Sequence, residues 1–197
     1  MAVRPILIHP DPRLKKKCEP VAEVTDATRA LIADMFDTMY DAPGIGLAAP
    51  QVGVLDRVVV IDCAGRSEDE DGQPIEEPPE PIAFINPEIL WASDETRSYN
   101  EGCLSIPEQF DDVTRPDRVK IRWLDETGAA QEREFEGVRA TCIQHEIDHL
   151  DGKLFIDYLG PVKRQMITTK MKKLKRERAK ERAKEQAKEQ RPSGASS

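Results

Sequence analysis

The sequence lacks long apolar runs. The longest one near the N-terminus is Ile6-Leu7-Ile8, which is too short for a signal peptide or a membrane span. It also lacks a disulfide-like cysteine spacing, since Cys18, Cys63, Cys103 and Cys142 are scattered along the chain. Scattered cysteines are typical of a reducing compartment. We therefore expect a cytoplasmic protein with no membrane partner.

Charge is divided unevenly along the 197 residues, although the formal net charge is only −8. Residues 163–197 contain 13 basic residues and four glutamates, a net charge of +9, whereas residues 1–162 carry −17. An acidic body with a basic tail suggests an anionic partner for the tail. A solvated helix with no partner explains the same charges equally well.

The hydrophobic pattern predicts an α+β domain. An amphipathic helix is expected from Thr25 to about Asp41, followed by a glycine-rich turn over 44–51 and a buried strand over 57–62. A second helix is expected over 138–150, ending at Gly152 with a left-handed cap. Short strands are expected at 82–86, 89–91, 118–124 and 131–136, the last two joined by a hairpin turn over 125–128. Strands grouped around two helices without βαβ alternation indicate small antiparallel or mixed sheets.

Two segments differ from this domain in composition. Residues 65–81 hold seven acidic residues and four prolines, which predicts an exposed, disordered loop. From Gln165 onward, Ala, Lys and Glu each recur every four residues, which predicts an extended third helix with stabilising Glu–Lys pairs. No large apolar residue follows Leu174. We therefore divide the chain into a main domain, 1–164, and a basic tail, 165–197.

The second helix contains a metal-binding motif, His145-Glu146-x-x-His149. Two histidines four residues apart lie one turn apart on the same face and can reach one metal ion, with the adjacent glutamate placed as general base. Only three histidines occur in the chain, and two are in this motif. A catalytic site needs a third protein ligand and an open position. By residue chemistry the candidates for this third ligand include Cys103, in a turn after Gly102, and Cys142, which is poorly placed to complete the ligand set. The residues alone favour Cys103 only modestly.

Three segments together resemble the signature motifs of the peptide deformylases, in that family's order and at its separations. They are Gly44-Ile45-Gly46-Leu47-Ala48-Ala49-Pro50-Gln51, Glu101-Gly102-Cys103-Leu104-Ser105 and Gln144-His145-Glu146-Ile147-Asp148-His149. The segments 9–14 and 150–155 are also similar, so the resemblance covers most of residues 5–165. The chain looks like the bacterial type with a long C-terminal helix. Phe110 departs from the pattern, because some relatives have a basic residue there.

The resemblance implies a role for each matching residue. Metal ligands would be Cys103, His145 and His149, with Glu146 as general base and acid, and with the Gln51 side chain and the Leu104 backbone N–H binding the formyl oxygen. The remaining residues would bind substrate: Ile45 and Gly46 line the peptide channel, and the methionine pocket lies near Ile45, Tyr99, Val138, Thr141 and Cys142.

The same resemblance implies one divalent metal ion, Fe²⁺ in the cell, with Zn²⁺, Ni²⁺ or Co²⁺ possible in preparations. The substrates would be N-formylmethionyl nascent peptides. From its charge, the basic tail is expected to bind the ribosome near the tunnel exit, where such peptides emerge; no DNA partner is expected. Two alternatives are a general His-Glu-x-x-His metallopeptidase and a non-enzymatic, ribosome-associated protein with a structural metal site. An intact Glu146 and Gln51 argue against a structural site, which needs neither.

Overall fold

The computed structural model describes residues 2–65 and 78–189, which form three helices and seven strands. The helices are α1 (Asp26–Asp41), α2 (Gly137–Leu150) and α3 (Pro161–Glu189). The strands are β1 (Gly46–Ala48), β2 (Val58–Ile61), β3 (Ile82–Ala92), β4 (Thr96–Cys103), β5 (Ile106–Pro116), β6 (Arg118–Leu124) and β7 (Ala130–Glu136). The expected α+β class is confirmed.

Two antiparallel sheets surround the helix that carries the histidine motif. One sheet has the strand order β1-β2-β3-β6-β7, and the other is the β4–β5 hairpin. Helix α2 contacts strands of both sheets. Its buried residues include Ile143, Ile147 and Leu150, which pack in one core cluster with Phe84 and Val59 of the larger sheet. This packing holds the motif between the sheets.

Helix α1 closes the other side of the larger sheet, as its pattern predicts. Leu31, Ile32, Met35 and Met39 are buried against β1, β2 and β3 residues, and Phe36 is half-buried beside them. Thr25 is the N-cap residue, and the Gly44 N–H bonds the Met39 carbonyl at 2.9 Å where the chain leaves the helix.

The structure corrects the predicted strands in three places. The expected strands 82–86 and 89–91 are one strand, β3, interrupted by register shifts, because Asn86 takes a positive φ of 52° and its side chain bonds the Val21 backbone twice at 2.8 Å. The hairpin of β4 and β5 was not predicted. The segment 44–51 is not a simple turn: it forms β1 and then a 3-10 helix, Ala49–Val52.

The remaining predicted boundaries agree closely. The turn over 125–128 is present, with the Gly128 N–H bonding the Asp125 carbonyl at 2.9 Å, and Gly152 has a φ of 73° after α2. Helix α3 begins at Pro161 rather than Gln165, because proline suits the first turn of a helix. Residues 66–77 of the predicted disordered loop and residues 190–197 of the tail lie outside the described residues, and the domain division stays a prediction.

Candidate metal centre and active site

Helix α2 presents its two motif histidines to a buried position. His145 is 8% exposed and His149 is 1% exposed, and their ring centroids lie 5.0 Å apart. This is the spacing expected for residues one helical turn apart on one face. Since both side chains are largely buried, a charged partner has a stronger effect on them than it would in bulk water.

The β4–β5 hairpin supplies the third group. Cys103 ends β4, and its Sγ lies 3.3 Å from His149 Nε2. One ligand atom each from Cys103, His145 and His149 lies within 4.8 Å of the others. A thiolate and two imidazoles form a donor set typical of a divalent transition metal with an open position. The three residues therefore fit a metal ion.

Cys142 faces elsewhere. Its Sγ donates to the Ile45 carbonyl oxygen at 3.5 Å, and it packs in the core cluster that also contains Cys63. The contact with Cys63, together with burial, holds the pKa of the Cys142 thiol well above its usual range. An inert, protonated thiol is a poor metal ligand. The structure thus places Cys103, which the residues alone favour only modestly, beside the two histidines.

A buried carboxylate network orients His145. The Glu101 Oε2 lies 2.7 Å from His145 Nδ1, so that Nε2 is left to face the metal position. Arg115 binds Glu101 through two contacts of 2.6 and 3.0 Å and Asp148 through a third of 2.8 Å. The Tyr158 hydroxyl also donates to Asp148 at 2.8 Å.

The network separates the pKa values of the groups around the centre. Burial raises the pKa of Glu101, but its hydrogen bonds with His145 and Arg115 outweigh this and lower it below the usual value. Burial lowers the pKa of His145, but contacts with Cys103 and Glu101 raise it well above the usual range. Burial lowers the pKa of His149 well below that range. A metal ion would compete with the proton on His145, as is general for such ligands.

Glu146 lies beside the three ligands without binding them. Burial raises its pKa to about 7. Its Oε2 and the His149 Nδ1 are buried polar atoms with no hydrogen-bond partner among the described residues. Buried polar atoms are nearly always bonded, and a functional group in the site commonly explains the exceptions. The Oε1 lies so close to Gly46 that a Cβ there would be 2.5 Å from it.

The side-chain amide of Gln51 is held in one orientation. Its Oε1 accepts from the Ala48 N–H at 2.8 Å, so its Nε2 points to Ser105 Oγ at 3.2 Å and Cys103 Sγ at 3.5 Å. The 3-10 helix that follows β1 places this side chain, which is 1% exposed. Leu104 is in the turn that follows Cys103. Both residues line the same cavity as the metal ligands Cys103 and His145.

That cavity has a volume of about 1020 Å³ and opens to solvent. Its lining includes the six residues predicted to bind substrate, namely Ile45, Gly46, Tyr99, Val138, Thr141 and Cys142. Phe110 stands at its rim with 64% of its surface exposed, covering the face of Gly102 on the paired strand, where a Cβ would come within 2.4 Å of its ring. A concave cavity with a few convergent polar groups and shifted pKa values is the usual form of a ligand-binding or active site.

A sequence model described as Polypeptide deformylase matches residues 3–165. The chain belongs to this family. It is 57% identical to the peptide deformylase of Rhizorhabdus wittichii, over 90% of this chain and 98% of that one, and 53% identical to that of Phenylobacterium zucineum, over 88% and 97%. Among solved structures, it is similar to the peptide deformylases of Legionella pneumophila (46% identity, TM-score 0.78, 90% and 98% covered) and Ehrlichia chaffeensis (40%, 0.82, 90% and 99%).

Membership of the deformylase family confirms the predicted function. The chain is a deformylase, and therefore a hydrolase, of a family that acts on formylated nascent peptides. The general metallopeptidase and the non-enzymatic alternative are not favoured. No helix in the described parts of the chain is long and apolar enough to cross a membrane.

Sequence reasoning missed the part of the deformylase site that surrounds the ligands. Glu101 belongs to the second motif, which assigns it no role of its own, and Arg115 lies in none of the three motifs. A signal for Glu101 existed, because residues two apart on a strand share a face and Glu101 is two residues from Cys103. Arg115 carries no such signal. It lies on the paired strand, opposite Arg97, and its long side chain reaches Glu101 at 2.6 Å.

Proposed function

We propose that Cys103, His145 and His149 bind a catalytic divalent metal ion and that Glu146 is the general base and acid of formyl-group hydrolysis. The observation that carries the proposal is the convergence of three ligand atoms within 4.8 Å beside a buried carboxylate oxygen with no partner among the described residues. The substrate is the N-formylmethionine of a newly synthesised protein, and the products are formate and a free N-terminus.

A divalent metal ion held by these three residues would supply Lewis acidity and lower the pKa of water toward neutrality. Glu146 accepts the proton of the attacking water and passes it to the amine that leaves, so one carboxylate serves both steps. Its raised pKa, about 7, suits a group that must both take and return a proton near neutrality. The Gln51 amide and the Leu104 N–H donate to the carbonyl oxygen as its charge grows. Removing one such donor costs about 2.7–4 kcal/mol in comparable sites.

The cavity residues divide into two roles in this proposal. Ile45 and Gly46 line the channel that holds the substrate backbone as an added strand. Tyr99, Val138, Thr141 and Cys142 surround the methionine side chain together with Ile45. Burial of Val138 and Cys142, at 9% and 7% exposed, supports an apolar pocket of this kind.

The third-ligand assignment is tested by comparing two cysteine variants. Cys103→Ala should lose bound metal and activity together, whereas Cys142→Ala, the matched control, should retain stoichiometric metal. Activity is followed with a formyl-Met peptide beside its N-acetyl counterpart. Full metal content in Cys103→Ala, or equal turnover of the acetylated peptide, would overturn the proposal.

The metal in the cell is Fe²⁺ in this proposal. A thiolate beside two imidazoles donates more charge than three nitrogens and makes the metal softer. Anaerobic reconstitution with iron should give higher activity than reconstitution with zinc, and air should inactivate the iron form. A zinc enzyme that is more active and insensitive to oxygen would contradict this choice.

The distal part of α3 is proposed to bind the ribosome near the nascent-chain exit, in the cytoplasm. Ile167 and Met171 are buried and Leu174 packs against the same cluster, which ties the first half of the helix to the body. The net charge of +9 on residues 163–197, against −17 on residues 1–162, supports an RNA partner, since the acidic body alone would be repelled. A tethered enzyme would meet its substrate at high effective concentration.

Truncation after Leu174 tests the tail, because it keeps the packed half of α3. The shortened protein should hydrolyse a short formyl-Met peptide with uncharged side chains normally but lose co-sedimentation with ribosomes at low salt. Binding by the full-length protein should fall steeply as salt rises. Equal sedimentation of both proteins would exclude the tail from this role.

A further inference from the structure

The packing face of α3 ends in a charged residue. Ile167, Met171 and Leu174 follow a spacing of four and three residues, which places them on one face of the helix, and this face packs into the core cluster of Leu14 and Phe155. Four residues after Leu174 the same face presents Arg178, which lines the active-site cavity. The helix therefore directs a guanidinium toward the groove that holds the metal centre.

The groove reaches well beyond the reacting groups. Besides His145 and Glu146, its lining includes the N-terminal segment 3–6, the β5 residues 106–108 and Arg178. Its volume of about 1020 Å³ is at the upper end of the range for sites that enclose a drug-sized ligand. Residues of a peptide beyond its methionine therefore have room inside the same cavity.

Two charged groups of the lining are already paired. Arg4 binds Asp34 at 3.0 Å, and Glu101 binds Arg115 at 2.6 Å. Asp41 and Glu108 are exposed carboxylates of the lining, and they disfavour an anionic substrate group near them. Arg178 is also exposed, and no ion pair holds it among the residues described. Arg178 is therefore the cation of the lining that is available to bind a substrate carboxylate.

We propose that Arg178 is a specificity-determining residue that binds an acidic side chain of the substrate, a few residues after the formylmethionine. The inference rests on the proposed deformylase function and adds a sequence preference to it. Arginine suits this role because its planar guanidinium bonds a carboxylate through two parallel N–H groups. The preference applies to one position in the peptide, because an extended chain advances about 3.3–3.6 Å per residue.

The test uses formyl-Met-Ala-Ala-Ala-Ala amides in which one Asp or one Lys replaces alanine at each of positions two to five. The wild-type chain should show a higher kcat/KM for Asp than for Lys at one position, by about two- to fivefold, the scale of an exposed ion pair. Arg178→Ala should abolish that preference and Arg178→Glu should reverse it. Raising the salt concentration should weaken the preference.

Arg176→Ala is the matched control. Arg176 is exposed on the same helix but lies beside Pro10 and away from the cavity, since two residues are about 200° apart around a helix. It should leave the Asp-to-Lys ratio unchanged in this ribosome-free assay. An unchanged ratio in Arg178→Ala, or an equal loss in Arg176→Ala, would overturn the assignment. No turnover of any formylated peptide by the wild-type chain would instead overturn the proposed function.

Discussion

Arg115→Met should destabilise the protein strongly, although Arg115 is neither one of the metal-binding residues nor part of the cavity lining. Arg115 and Glu101 have side chains 5% and 4% exposed, joined at 2.6 Å, and Asp148, 14% exposed, is bound at 2.8 Å. Methionine preserves much of the side-chain volume but leaves two partly or fully buried carboxylates without their cation. Removing one partner of a buried ion pair costs about 3–5 kcal/mol.

The size of this effect can be converted into a melting temperature. For a chain of this length each kcal/mol lowers Tm by about 2–4 °C, so Arg115→Met should melt about 6–20 °C below wild type. Glu101 also loses the contacts that hold it against His145, and loss of such a supporting group typically weakens metal binding by about 10–100-fold. Metal affinity should therefore fall in the fraction that remains folded.

Arg118→Met is the control, because Arg118 is 43% exposed and its nearest carboxylate oxygens are 3.7 and 3.8 Å away. An exposed pair of this kind contributes up to about 1 kcal/mol. Urea unfolding and metal titration of both variants are the assays. An Arg115→Met protein within about 1 kcal/mol of wild type would refute the view that this network supports the site.

Two further predictions concern a close contact and a turn. Gly46→Ala should keep the metal but lower kcat/KM at least tenfold, because its Cβ would lie 2.5 Å from Glu146 Oε1 and small displacements of a catalytic group are costly. Gly160→Ala, with no atom within 4 Å of its Cβ, is the control. Normal kinetics in Gly46→Ala would contradict the contact. Asp125→Asn should lower Tm at neutral pH, because hydrogen bonds from Thr127 first, and then others in the turn, lower the pKa of Asp125 to about 2. A carboxyl whose pKa is lowered by folding stabilises the fold at pH values above its unfolded-state pKa, which is near 4. The Tm difference between the variant and wild type should therefore shrink as the pH falls from about 4 to about 2. A difference that grows over this range would refute the reasoning.

The sequence predicted those elements whose side chains have a simple burial period. Helices α1 and α2 were found because their apolar residues recur every three or four positions, and β2 because all four of its residues are buried. The β4–β5 hairpin was missed because polar residues occupy most of its positions, the less exposed ones included, so no alternation of apolar and polar residues marks it in the sequence. The break in β3 arises from Asn86, whose bonds to Val21 join segments 65 residues apart.

The candidate site was predictable as far as its residues lie in short motifs. The two histidines follow from helical spacing alone, whereas the choice of Cys103 over Cys142 needed the hairpin that brings Cys103 Sγ to 3.3 Å from His149. Arg115 could not be found, because its role depends on strand pairing. Arg178 could not be found either, because the cavity it lines is formed by segments far apart in the chain.

The most direct test of the account is the turnover of a formyl-Met peptide by a metal-loaded Glu146→Gln protein, with metal content measured in the same sample. Glutamine keeps the shape of the side chain but cannot accept the proton. The variant should therefore bind metal stoichiometrically and lose kcat by about 10²–10⁴-fold, the scale of a general acid–base group. Near-normal kcat in a fully metal-loaded Glu146→Gln protein would contradict the central claim.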